Sequence, residues 1–332
     1  MESKLKVPYG LDTSGQLVSA AIAEKDKTYF CPNCNSQLVR RAGEVKVKHF
    51  AHPSSSNCSQ ESILHITAKK LIESVIRSNS LSKIEVTLQN NCYQCDVEFN
   101  TKLPFGTFTS AAQEVAVASY VCDVVGYRSG GASLGVEILH THEVDGEKAT
   151  NLPISWIELK AEDVINDPHH WKPTQSKLKP SFCSGCRSHI KHVQSVAYRW
   201  NIDSALYTPI KNASLANYVA DVETCFRCKE VVPVFWWNGV PFCEQEPPNP
   251  RPKTIKYRNS KKYGGSYWAN TCANCNMIQG DNYLFLFDNA PFKNMPMSES
   301  EREQDGGLVK VATGDEAISE MMRVIKRNFP RP

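Results

Sequence analysis

No apolar run in this 332-residue chain approaches the roughly 20 residues that span a bilayer. The opening residues, MESKLKVPYG, hold no apolar stretch of the kind a signal peptide needs. A membrane location and an export route are therefore not expected, and the chain reads as cytoplasmic. Charge of one sign is also scarce, because 38 Lys and Arg against 35 Asp and Glu leave a net charge of +3. That balance permits nucleic-acid binding without arguing for it, since a dedicated DNA-binding domain is usually more basic.

Cysteine is what the chain has in excess. Of its 13 cysteines, ten fall in five C-x-x-C pairs: Cys31/Cys34, Cys92/Cys95, Cys183/Cys186, Cys225/Cys228 and Cys272/Cys275. In a large chain without an export signal such pairs read as metal ligands rather than disulfides. A C-x-x-C turn presents two thiolates to one tetrahedral ion, so two to three structural Zn²⁺ ions are expected. For the first site, Cys31, Cys34, His49, His52 and Cys58 offer five candidates for four places. The favoured set is Cys31, Cys34, His52 and Cys58, with His49 as substitute; the competing reading leaves the histidines packed or solvated. Cys92/Cys95 has no partner nearby in sequence and is expected to join Cys183/Cys186. Cys225/Cys228 and Cys272/Cys275, separated by a strand- and Pro-rich insert, describe a zinc ribbon in which Cys243 is spare.

Between the cysteines the patterning is that of a mixed α/β domain. Residues 8–30 alternate and turn at Asp12–Gly15, as a β-hairpin does. Residues 59–78 carry Ile63, Leu64, Ala68, Leu71, Ile72, Val75 and Ile76 at helical spacing. Glu61, His65 and Lys69 share one flank of that helix, either as a solvated charged face or as part of a site. Strands are expected at 83–88 and 95–99, a loop at 101–111, and a hairpin through Arg128-Ser-Gly130-Gly131. A hairpin centred on Gly130 pairs Asp123 with Glu137, whose numbers sum to 260, on one face. Two carboxylates that close call for a cation between them. The competing reading is a pair of exposed acids on an edge hairpin. Asp145 is placed to cap a short helix, a fourth strand is expected at 154–159, and residues 167–180 read as linker. Five regions result: 1–58, hairpin and zinc finger; 59–166, core; 167–220, linker and basic helical segment; 221–296, zinc ribbon; 297–332, charged tail with a short helix.

Several unusual elements occur in one order. Tyr29-Phe-Cys-Pro-x-Cys is followed by Leu38-Val-Arg-Arg-x-Gly43, His49-Phe-Ala-His52, Cys58, Glu61-Ser62, His65, Lys69 and Leu71. Asp123-Val and Val136-Glu137-Ile come next, then Thr141-His142 and Lys148. Over about residues 5–165 the chain resembles the competence-protein CoiA-like family of predicted nucleases. The string Tyr267-Trp-Ala-Asn270-Thr-Cys-x-x-Cys-x-x-x-Gln-Gly280-Asp281 is similar to a zinc ribbon appended to some such proteins.

That resemblance implies a PD-(D/E)XK core, a mixed sheet flanked by helices, and a DNA nuclease dependent on Mg²⁺ or Mn²⁺. Asp123 and Glu137 would be its metal ligands, with Glu61 a further carboxylate and Glu114 a weaker one. The family strand places Lys or Gln two residues after the glutamate, where this chain has Leu139. His142, Lys148 and Lys69 are the nearby substitutes, Lys148 first. The rival reading is a degenerate core that serves as a zinc adaptor for nucleic acid or protein. Lys253, Lys256, Arg258, Lys261 and Lys262, interleaved with Tyr257, Tyr263, Tyr267 and Trp268, suit single- or double-stranded DNA. Equally, those rings could pack the ribbon's small core.

Overall fold

The computed structural model describes residues 6–43, 48–52, 58–81, 84–139, 143–213 and 216–297. The charged tail and final helix expected beyond residue 297, and His142, lie outside the described residues. The chain divides into two compact units: one comprises Met1–Cys92 and Asp96–Cys183, the other Tyr93–Cys95 and Ser184–Pro332.

The first unit opens with six short strands, β1 (Lys6–Val7), β2 (Tyr9–Leu11), β3 (Leu17–Ser19), β4 (Tyr29–Phe30), β5 (Gln37–Arg41) and β6 (His49–Ala51). They form one sheet in the order β1-β6-β5-β4-β2-β3. Helix α1 (Gln60–Ser80) follows. Its N-cap is Ser59, whose hydroxyl accepts the Ser62 N–H at 3.0 Å and so satisfies a donor the helix cannot. The apolar stripe read from the sequence is its buried face: Ile63, Ala68, Leu71, Ile72, Val75 and Ile76. Each fully buried branched side chain there contributes about 1.5–3 kcal/mol, so Ile72→Ala would damage this packing most directly.

After α1 come β7 (Val86–Asn91) and β8 (Glu98–Leu103), then β9 (Ser110–Val117), β10 (Tyr120–Arg128) and β11 (Gly131–Leu139). Helix α2 (Gly146–Asn151), with Asp145 as its cap, leads to β12 (Ser155–Lys160), α3 (Ala161–Asn166), β13 (His170–Trp171) and β14 (Pro173–Lys177). The main sheet runs β14-β12-β11-β10-β9, and β7 pairs with β8 and β13 in a smaller one. β9, β10 and β11 form an antiparallel meander, whereas β11 and β12 are parallel. A parallel pair needs a crossover, which α2 supplies. On one sheet face Val124, Val136, Ile138, Ile157 and Leu159 pack with α1 and α3. On the other, Cys122, Val125 and Trp156 pack with Leu152, beside Ala149 of α2.

Two expectations are corrected. The strands expected at 83–88 and 95–99 are displaced, with β7 and β8 running to 91 and 103, because the Cys92–Cys95 turn is the hairpin tip that joins them. Residues 167–180 are not linker throughout: they supply β13 and β14, and β14 completes the main sheet through pairs such as Glu158 with Gln175.

The second unit contains α4 (Ser184–Arg199) and two hairpins, β15 (Val219–Thr224) with β16 (Val231–Trp236), and β17 (Ile255–Ser260) with β18 (Gly265–Asn270). Val193 and Ala197 of α4 join Tyr218, Val234, Phe235 and Trp237 in its core. Among the described residues no helix is long and apolar enough to cross a membrane.

Candidate active site and metal centres

Four of the five C-x-x-C pairs have one backbone shape. The residue after the second cysteine donates its N–H to the first cysteine's carbonyl: Asn35 to Cys31, Asp96 to Cys92, Lys229 to Cys225 and Asn276 to Cys272. The same four residues have φ of 57°, 58°, 64° and 60°. Asn and Asp tolerate this left-handed region, and Lys229 is the strained member. Backbone N–H groups then turn in toward sulfur, as Asn33 does to Cys31 Sγ at 3.4 Å. The fifth pair differs, because Cys186 lies within the first turn of α4.

Three groups result. Cys31, Cys34, His52 and Cys58 have ligand atoms within 4.8 Å of one another, as do Cys92, Cys95, Cys183 and Cys186, and Cys225, Cys228, Cys272 and Cys275. Three or four thiolates with at most one imidazole is the donor set of tetrahedral structural zinc, and all three groups could hold it. His52 rather than His49 is in the first group, with Nε2 3.4 Å from Cys34 Sγ. Cys243 is in none; its buried thiol donates to the Gln245 carbonyl at 3.2 Å.

Asp123 and Glu137 both lie at the end of the β10–β11 ladder. The pairing Val124 with Val136, which sum to 260, has the expected register, and a bulge at Gly126/Tyr127 absorbs the turn. Beyond Val136 the Ile138 N–H is taken by Asp123 Oδ2 at 2.9 Å, so this side chain sits where β10 and β11 part.

The expectation that both carboxylates share one face is corrected here. Cys122 and Val125 pack on the α2 side, while Val124 packs on the α1 side. Regular alternation forbids that combination. The alternation therefore breaks between Cys122 and Val125, beside Glu114 of β9, which has a φ of 51°. Asp123 turns toward α1, where His65 Nε2 lies 3.1 Å from Oδ2 and Lys69 Nζ lies 3.5 Å from Oδ1. Lys69, 7% exposed, also binds Glu114. Irregularities of this kind re-aim side chains beside sites.

Glu137 stays on the α2 side, 7% exposed. Its Oε2 accepts from Lys148 Nζ at 2.7 Å, and the same ammonium donates to the Val121 carbonyl at 2.7 Å. Oε1 is buried without a hydrogen-bond partner. Each carboxylate thus has its own cation.

Their environments push them apart. Burial works to raise Asp123, but the His65 contact, the Ile138 N–H and the charges of His65 and Lys69 outweigh it and hold the carboxyl below its ordinary range. For Glu137 burial wins over Lys148, and the Asp123 charge adds to it, so that carboxyl lies above its ordinary range. Of the other expected residues, Glu61 is exposed in the first turn of α1, and Leu139 is half-buried at the end of β11.

Two residues escaped the sequence reading. Cys122, buried beside Glu137, has its thiol pushed up to about 12 by burial and then by the Glu137 charge. Glu158, 1% exposed, is the in-register neighbour of Glu137 on β12. Its Oε1 accepts the Val144 N–H at 2.6 Å, and Oε2 accepts the Thr174 hydroxyl. A lone acid within Trp156-Ile-Glu-Leu159 was the available signal.

In the second unit, Lys256 and Arg258 lie on β17, Lys253 precedes it, and Lys261 and Lys262 occupy the hairpin turn. Much of the aromatic surface there is spent on packing. Tyr267 is 2% exposed, and Tyr263 stacks on Phe242 with centroids 4.9 Å apart.

Residues 16–61 match the family model for the N-terminal domain of competence protein CoiA. No curated protein and no solved structure matches the chain. The CoiA match covers the first cysteine–histidine group up to the start of α1, and the acidic cluster lies outside it.

Proposed function

We propose that the first unit is a divalent-metal-dependent deoxyribonuclease of the CoiA type, and that the zinc-bearing modules help it hold DNA. The observation that carries this reading is the contact of Lys148 with Glu137, beside Asp123, at the point where β10 and β11 part. The element order α1, β9-β10-β11, α2, β12, with β12 parallel to β11, is compatible with the mixed sheet expected of such a core and supports the reading.

Asp123 and Glu137 offer hard carboxylate oxygens of the kind Mg²⁺ and Mn²⁺ take. The unpartnered Oε1 of Glu137 is a ligand atom to spare. Such an ion would supply positive charge at the scissile phosphate and a more acidic bound water. Lys148 would stabilise charge developing on the phosphoryl oxygens, the task the family assigns to the position held here by Leu139. His65 and Lys69 fix the rotamer of Asp123 and keep it ionised. Lys253, Lys256, Arg258, Lys261 and Lys262 would meet phosphates.

The test is cleavage of single- and double-stranded DNA with Mg²⁺ or Mn²⁺ by the full chain and by Asp123→Ala and Glu137→Ala. Activity lost in both variants with zinc content intact is the expected result. Binding without cleavage in every metal would replace the nuclease with a zinc adaptor, a reading favoured by the separate cations that already neutralise each acid.

A further inference from the structure

Helix α4 buries Val193, Val196 and Ala197 and shows solvent the opposite side. Among its residues, Ser184–Arg199, there is no Asp or Glu. Arg187, Lys191, Gln194 and Tyr198 stand at i, i+4, i+7 and i+11, a single stripe directed away from the buried face. The stripe extends roughly 16 Å along the helix at 1.5 Å per residue. Its last member is unusual: Tyr198 is 83% exposed, more than the other large hydrophobic side chains of the described chain.

The stripe runs into a cleft. Gln194, Tyr198, Asn201, Ile202 and Tyr207 line an open space of about 560 Å³ at the C-terminal end of α4. Asn201, with a φ of 53°, ends the helix and turns the chain so that Tyr207 forms part of the lining. Asp203 also lines the cleft, but its Oδ1 already accepts the Ala205 N–H at 2.9 Å. Two phenol rings provide flat apolar surface, and the Gln194 and Asn201 amides both donate and accept, as the edges of nucleobases do. Cations upstream and rings with amides downstream are the two halves of a site that tracks a backbone and stacks a base. An acidic peptide would satisfy the cations and leave the rings unused.

We infer that the α4 stripe and its cleft form a binding site for single-stranded nucleic acid, with Arg187 and Lys191 on phosphates and a base stacked on Tyr198. All of these residues belong to the second unit and none is Asp123 or Glu137, so occupancy of this site does not depend on cleavage.

The experiment is fluorescence anisotropy on the full zinc-loaded chain without added Mg²⁺. The probes are a labelled oligothymidylate and an abasic deoxyribose-phosphate strand of equal length. Tyr198→Ala should weaken the oligothymidylate complex at least about fivefold and leave the abasic strand unaffected. Arg187→Ala with Lys191→Ala should weaken both, and the slope of log affinity against log salt should shrink by about 0.7 for each phosphate no longer neutralised. Equal effects of Tyr198→Ala on the two strands would overturn the inference. So would an unchanged salt slope, or equally tight binding of polyglutamate. These side chains face solvent, and an unchanged Tm in each variant checks that the fold persists.

Discussion

Lys148 donates to Glu137 across 2.7 Å, from a helix one crossover beyond the strand that carries the glutamate. On the proposed nuclease reading, the cation that the family keeps two residues along the strand would be delivered here from α2. If Lys148 does that work, Lys148→Ala should reduce DNA cleavage by about two to three orders of magnitude, the scale of losing one charge-stabilising donor. Lys148→Arg should recover part of the rate, and both variants should keep their zinc. A Lys148→Ala enzyme with wild-type rate would remove the lysine from the mechanism.

Glu158 predicts a distinct phenotype. It holds Val144, the residue before the Asp145 cap of α2, and so sets where Lys148 stands. Glu158→Ala leaves the part-buried Val144 N–H without its acceptor and should cost about 1 kcal/mol or more in urea unfolding. Glu158→Gln keeps an acceptor and should retain most of the stability. Equal losses in the two variants would show that the carboxylate charge, not the hydrogen bond, matters.

A third prediction concerns pH. Asp281 is fully buried, and burial raises its carboxyl from 3.8 to about 7, against a lowering by the Phe242 N–H. The native state therefore holds a proton that the unfolded chain gives up. Its contribution to stability is complete below the unfolded value of 3.8 and declines as pH rises to about 7, levelling beyond it. A tenfold change in proton affinity is worth about 1.4 kcal/mol, so Asp281→Asn should be more stable than wild type by a few kcal/mol at pH 8 and nearly equal at pH 4. Thermal melts across that range check it; a constant difference would contradict the assignment.

The knuckles allow a fourth. Lys229 occupies the left-handed position that Asn35, Asp96 and Asn276 fill elsewhere. Lys229→Gly should raise stability by up to about 1 kcal/mol in zinc-saturated protein, read by denaturant midpoint. A loss would mean that the lysine side chain does more than fill a turn.

How much was legible in the sequence followed from the range of the cause. The cysteine groups that could hold zinc were readable because a C-x-x-C turn is local: four of the five turns repeat one backbone whatever surrounds them. α1 was readable from its stripe, and the β10–β11 register from its turn. The face of Asp123 was not, because an irregularity beside Glu114 breaks the alternation on which that inference rests. β14 was hidden by Pro173, which suits an edge strand as well as a linker. Glu158 was overlooked because an acid in an apolar strand declares its partners only once Val144 and Thr174 are brought to it.

The most direct test of the acid pair is Mn²⁺ uptake by the zinc-saturated chain, followed by electron paramagnetic resonance. Wild type should bind Mn²⁺ beyond its zinc, and both Asp123→Asn and Glu137→Gln should lose that binding while their melting temperatures hold. Mn²⁺ uptake that is absent from wild type, or unchanged in both variants, would contradict a metal site at these carboxylates.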